Sequence, residues 1–205
     1  RAHPTPQLVI VGAGLDTRAW RLAGLAGVAV FEVDHPATQA DKRTRTAGLA
    51  PLAASLRFVP VDLSREGLDT ALVPAGHRPD EPTTWIWEGV VPYLTRAEVG
   101  ATVEAIAGLS APGSQLIVNY QSPSVGAAIG QWVARAMMAV SRQRSLWADE
   151  PRRSTWTPEA LGRLLSAHGF TVRGHENLLA LAGSLQVPVR QRGSLRTGQV
   201  TTATR

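Results

Sequence analysis

Two glycines and three carboxylates in this chain each stand directly after an apolar run, where a buried strand would give way to a loop. Gly12 and Gly14, with Ala13 between them, follow Leu8-Val-Ile-Val11. A glycine pair there lets a strand turn sharply and lets a ligand approach the backbone. Asp34 closes a second run, Val28 to Val33, twenty residues after Gly14. An acid at that point is placed to accept hydrogen bonds from the two hydroxyls of a ribose. Asp62 and Leu63 close a third run, Leu56 to Val61. Their pairing of an acceptor with an apolar wall suits an adenine ring. Glu88 closes a fourth, Thr83 to Trp87, where the first and fourth strands would part. Any one of these acids could simply cap the next helix. Four such strand ends in series point to one adenosine-type cofactor, with Glu88 near its reactive end and an acidic rim that attracts a cation.

The elements that must position these residues alternate. Four continuous apolar residues before Gly12 read as a strand buried on both faces of a parallel sheet. Asp16 and Thr17 suit the first turn of a helix carrying Trp20 and Leu22. His35 to Leu49 is helix-compatible, with Pro36 in its first turn and Pro51 beyond its end. Pro60 places the third strand near a sheet edge, because proline cannot donate to a ladder. Glu66 to Val73 can form a short helix. Thr95-Arg-Ala-Glu98 is a capping box for a helix through Leu109, with Val99, Val103, Ile106 and Ala107 on one stripe. Gln115 to Tyr120 is a fifth strand, and Val125 to Arg142 a longer helix. Thr157-Pro158-Glu159 opens another helix, which stops at Gly169. Phe170 to Arg173 and Gln199 to Ala203 complete seven strands. The expected architecture is a doubly wound α/β fold with a mostly parallel seven-stranded sheet, in one domain over residues 1–205.

Composition excludes several classes. With 205 residues and 44% hydrophobic content the chain can bury a substantial core. Cysteine is absent, which removes disulfides, thiolate metal sites and cysteine nucleophiles. The net charge of +5 is carried almost wholly by scattered arginine, with Lys42 the single lysine. No nucleic-acid motif accompanies it, so neither a nucleic-acid nor a membrane partner is expected. No signal-peptide pattern is present, and a cytoplasmic location is the expectation. No metal constellation is visible, and metal independence is expected.

Four segments together resemble the leucine carboxyl methyltransferase family. They are Val9-Ile-Val-Gly-Ala-Gly-Leu-Asp-Thr-Arg18, Phe31-Glu-Val-Asp-His-Pro36, Phe58-Val-Pro-Val-Asp-Leu63 and Trp87-Glu-Gly-Val-Val-Pro-Tyr-Leu94. The likeness is closest to its bacterial branch of O-methyltransferases in polyketide and other natural-product pathways. The segment from Asp149-Glu-Pro-Arg152 to Gly169-Phe170 resembles that branch's later region. The resemblance implies a class I S-adenosylmethionine-dependent methyltransferase. It places Gly12, Ala13, Gly14 and Asp16 along the methionine part, Asp34 on the ribose with His35 beside it, and Asp62 and Leu63 on the adenine. Glu88 maps onto a position that also contacts the cofactor. Members carry an N-terminal helical region with an arginine for the cofactor's carboxylate. The expectation here is a domain lacking that region, with Arg18 a partial substitute.

Methyl transfer requires acceptor and methyl carbon to be held in line and dry. An ionised carboxylate acceptor needs only a cationic partner, for which Arg152 and Arg153 are candidates. A hydroxyl acceptor needs a base, and Glu88, Tyr93 and Tyr120 are the candidate catalytic residues. Asn119 and Gln121 also follow the fifth strand and could line the acceptor side. The expected partner is a small natural-product acceptor taking the methyl on a carboxyl or hydroxyl oxygen. A nicotinamide-dependent oxidoreductase on the same fold is the alternative, opposed by Thr17 at the third glycine position. A non-catalytic binding module is another.

Overall fold

The computed structural model describes residues 5–63, 65–123, 153–189 and 192–205. The expected helix over Val125–Arg142 lies outside them. Seven strands form one sheet: β1 (Gln7–Val11), β2 (Ala29–Asp34), β3 (Ser55–Pro60), β4 (Thr83–Trp87), β5 (Gln115–Gln121), β6 (Thr171–Asn177) and β7 (Gly198–Thr204). Their order is β3-β2-β1-β4-β5-β7-β6. Strands β1 to β5 pair in parallel, whereas β7 runs antiparallel to both β5 and β6. The sheet is therefore mixed, which corrects the expectation of a mostly parallel one.

The correction has a topological cause. Helix α6 (Leu178–Ser184) begins where β6 ends, and α7 (Arg192–Thr197) ends where β7 begins. This connection returns the chain to the end of the sheet it has just left, so β7 must run back down. Asn177 caps α6, its Oδ1 accepting from Leu179 N at 2.9 Å and from Ala180 N at 3.4 Å.

The remaining described α-helices are α1 (Arg18–Arg21), α2 (Pro36–Arg45), α3 (Leu68–Leu72), α4 (Arg96–Gly108) and α5 (Pro158–Ala167). Local chemistry accounts for their starts. Both capping-box bonds form at α4: Glu98 N donates to Thr95 Oγ1 at 3.2 Å, and Thr95 N donates to Glu98 Oε2 at 2.6 Å. Thr157 Oγ1 caps α5 by accepting from Ala160 N at 3.2 Å, with Pro158 at the first helical position. The predicted stripe of α4 is wholly buried.

The two faces of the sheet carry separate cores. On one, Val9, Val11, Phe31, Val33, Trp85 and Trp87 pack with residues of α3, α4 and α5. On the other, Leu8, Ile10 and Val30 pack with Ala19 and Ala53. The sheet is doubly wound, and β3 lies at its edge, as Pro60 requires.

Two buried polar devices interrupt the apolar layers. On the α2 face Glu32 meets Lys42 Nζ at 2.5 Å, with side chains 0% and 3% exposed. Burial pushes the Glu32 carboxyl up to about 7, against the pull of Lys42. Removing one partner strands the other charge. Glu32→Gln is expected to lower unfolding free energy by about 3–5 kcal/mol in urea melts, and Glu32→Gln with Lys42→Met by clearly less.

On the opposite face the buried His77 ring lies 5.7 Å from Phe31 and 5.4 Å from Trp85, with Nε2 3.1 Å from Thr83 Oγ1. Burial lowers its pKa from 6.5 to about 4. The fold thus favours the neutral ring, and this contribution is intact above about pH 6.5 and lost as pH falls through about 4. His77→Gln should lose stability less steeply than the wild type across that interval in melts at stepped pH.

Candidate functional site

Strand β1 pairs with β2 on one side and β4 on the other, so the chain order reverses at the β1/β4 boundary. In open α/β sheets ligands bind outside the carboxyl ends of the strands at such a point. The register aligns Val11 with Val33 and with Trp87, and Asp34 with Pro60. Gly12–Gly14, Asp34, Asp62–Leu63 and Glu88 are thereby brought along one edge of the sheet.

The loop after β1 is held by β2. The amides of Gly12 and Ala13 both donate to the Val33 carbonyl, at 2.8 and 3.0 Å. Gly14 N donates to Asp34 Oδ2, and His35 N donates to Asp34 Oδ1 at 2.6 Å. The Asp34 carbonyl accepts from Val61 N at 2.9 Å, which fixes the strand end carrying half-buried Asp62 and Leu63. Gly12 and Gly14 have φ of +74° and +46°. A Cβ on Gly12 would lie 2.0 Å from Val90 Cγ2, so the loops after β1 and β4 touch where only hydrogen fits.

Helix α1 starts beside Asp16 and Thr17, as their types suggest. Thr17 makes no side-chain cap bond; Asp16 Oδ1 accepts from Arg18 N at 2.6 Å instead. Arg18 then bridges two acids. Its Nη1 contacts Asp16 Oδ2, and its Nη2 lies 2.9 Å from Glu88 Oε2, across the β1/β4 boundary. Burial opposes the Arg18 charge, but the Glu88 hydrogen bond and Asp16 outweigh it and raise its pKa. The pairing joins residues 70 apart in sequence and was not legible there. Val90 was likewise missed, although a glycine at position 12 hints at a close neighbour. His35 caps α2, its Nδ1 accepting from Ala37 N at 3.3 Å.

The acceptor-side candidates fare differently. Tyr120 is corrected as a catalytic candidate: it is 0% exposed and belongs to the core cluster that holds Leu161 and Leu165 of α5. Its hydroxyl lies 3.3 Å from Thr201 Oγ1 and 3.5 Å from His175 Nδ1, and burial pushes its pKa up, which disfavours a phenolate base. Asn119 donates to the Gln199 carbonyl at 3.0 Å and Gln121 accepts from Thr197 Oγ1 at 2.7 Å, so both side chains bind the β7 side. Arg153 Nη1 lies 3.3 Å from Glu98 Oε2, and is not an uncommitted cation for an acceptor; Arg152 lies outside the described residues. Tyr93 is 41% exposed at the end of the 3-10 turn Val91–Tyr93, and Glu88, at the start of the same loop, is exposed as well.

Residues 2–107 match the family model described as leucine carboxyl methyltransferase. The chain belongs to the leucine carboxyl methyltransferase family. A Mycolicibacterium gilvum relative, provisionally named an S-adenosyl-L-methionine-dependent methyltransferase, is 44% identical over 140 residues. The match covers 67% of this chain but 44% of that protein. A provisionally so-named protein of Mycobacterium sp. strain JLS is 34% identical over 206 residues, covering 91% of this chain and 68% of its own length. This family member thus spans about half the length of several curated relatives it matches. Among solved structures, a SAM-dependent methyltransferase of Methanosarcina mazei superposes with TM-score 0.66 at 13% identity, over 99% of this chain and 93% of that one. Mitomycin 7-O-methyltransferase superposes with TM-score 0.60 at 16% identity, over 98% and 49%. At such identities the likeness shows the fold, a class I methyltransferase fold.

The contact between Gly12 and Val90 is directly testable. Gly12→Ala combines a left-handed backbone with overlap, and is expected to cost roughly 2–5 kcal/mol in denaturant melts. Adding Val90→Ala should recover the overlap part and leave the backbone part.

Proposed function

We propose that this chain forms the cofactor-binding core of an S-adenosylmethionine-dependent O-methyltransferase acting on a carboxyl or hydroxyl oxygen of a small natural-product-type acceptor. The observation that carries the proposal is the set of carboxylates along one strand-end crevice. Asp34 braces the glycine loop yet keeps spare lone pairs, since a carboxylate offers about four acceptor sites. It suits two ribose hydroxyls. Half-buried Asp62 and Leu63 suit an adenine edge and face, and Gly12, Ala13, Gly14 and Asp16 suit the methionine part. Glu88 and Asp16, offset by one arginine, leave net negative charge toward a cationic ligand. This donor set fits the cofactor chemically.

When bound, the cofactor supplies a methyl group activated by an adjacent sulfonium. The chain's own task is to hold its partner in line and keep the site dry. For a carboxyl acceptor no proton need move. For a hydroxyl acceptor, Glu88 or Tyr93 would take the proton, with Arg18 holding the Glu88 carboxylate in place. The family description, which names a carboxyl group, supports an oxygen acceptor. No described helix is long and apolar enough to cross a membrane.

Calorimetric titration with S-adenosylmethionine and with NAD tests the cofactor. Micromolar binding of the former, weakened at least tenfold by Asp34→Ala, is expected; binding of NAD alone would overturn the proposal. Transfer of labelled methyl to a panel of carboxylic acids, phenols and amines tests the acceptor atom. Labelling of amines alone would refute oxygen as the acceptor.

A further inference from the structure

Among the described residues, strand β3 is the edge of the sheet on the β2 side, and a groove of about 490 Å³ lies against it. It is lined by Leu56, Arg57 and Phe58 of β3, by Arg43 of α2, and by Pro74 and Ala75. None of these residues belongs to the crevice at the strand ends. An edge strand presents alternate N–H and C=O groups outward, ready for another strand. Along Ser55–Pro60 only Pro60 lacks an N–H, so the open ladder ends there.

The charges of the groove are one-signed. Arg43 and Arg57 are both exposed, and neither is in an ion pair among the described residues. The Arg43 guanidinium is held 5.0 Å from the Phe58 ring centroid, which fixes it over the groove. The two arginines also lie on opposite faces of the sheet. Phe58 tilts against Trp20, on the face covered by α1 and α2. Arg57 alternates with Phe58 and shares the face of Val59, which packs in the core holding Leu68 and Leu72 of α3.

We propose that this groove binds an extended acidic segment of a partner protein as an added β-strand alongside β3. Backbone pairing supplies the contact and the two arginines supply selectivity. Side chains of an added strand alternate faces, so its acidic residues must stand an odd number of positions apart, one for each arginine. A second copy of this chain fits poorly. Antiparallel pairing about the strand centre would bring each Arg57 near its equivalent, and like charges opposite one another are unfavourable.

The test uses the full chain and three labelled eight-residue peptides of valine and threonine in fluorescence polarisation. One carries two adjacent central glutamates, one has lysines in their place, and one has the glutamates with N-methylated backbone amides. The glutamate peptide is expected to bind at least tenfold tighter than the other two. Arg43→Glu with Arg57→Glu should reverse the order of the glutamate and lysine peptides, and Arg43→Gln with Arg57→Gln should abolish the preference. Circular dichroism of each variant checks that it is folded. A charge preference unmoved by both double variants would overturn the proposal. So would equal binding of the N-methylated peptide, or edge-dependent dimerisation of the chain itself.

Discussion

The side chain and carbonyl of Asp34 are the tie on which the rest of the crevice depends. One carboxylate oxygen takes the amide of Gly14, the other the amide of His35, and the carbonyl takes the amide of Val61. Three loops that the chain builds far apart are thereby joined at one residue. Hydrogen bonds to a charged acceptor contribute roughly 1.5–3 kcal/mol each, about twice a neutral one. A loop of small residues with little side-chain packing of its own gains more from two such bonds than from burial. The acid that would receive a ribose is therefore also the brace of the loop facing it.

Around that tie the charges are arranged rather than merely accumulated. Asp16 and Glu88 share Arg18, so two acids meet one base at the β1/β4 boundary. The pair with Glu88 is half in solvent, and such bridges contribute little stability on their own. Its effect is positional: it links the first turn of α1 to the loop after β4, beside the contact of Gly12 with Val90. Beneath the crevice, Glu32 and Lys42 form an ion pair almost wholly out of water. That pair is expensive to desolvate and costly to break, and it ties α2 to β2 in one register.

Much of the fold could be read along the chain because it depends on short-range chemistry. The capping box at α4 and the threonine cap and proline at α5 act within three or four residues, and the structure has them as read. The apolar runs of β1, β2 and β4 mark strands buried on both faces. Pro60 marks an edge strand by what it cannot donate. What failed to be legible was α7 and the direction of β7, whereas α6 does carry a local signal in its Asn177 cap. Tyr120 was misplaced because its hydroxyl finds Thr201, a partner 81 residues away.

The sequence by itself determined where β1, β2 and β4 lie and where α4 and α5 begin, and which residue types stand at the strand ends. Those depend on neighbours within a turn or a pleat. Only the tertiary structure decided which strands lie side by side, that Arg18 holds Glu88, that Tyr120 is buried in the core and Asn119 bonds to β7, and that two arginines flank an edge strand. Each of those facts is a meeting of groups brought close by sheet order and register, and no local pattern along one chain encodes the distance between them.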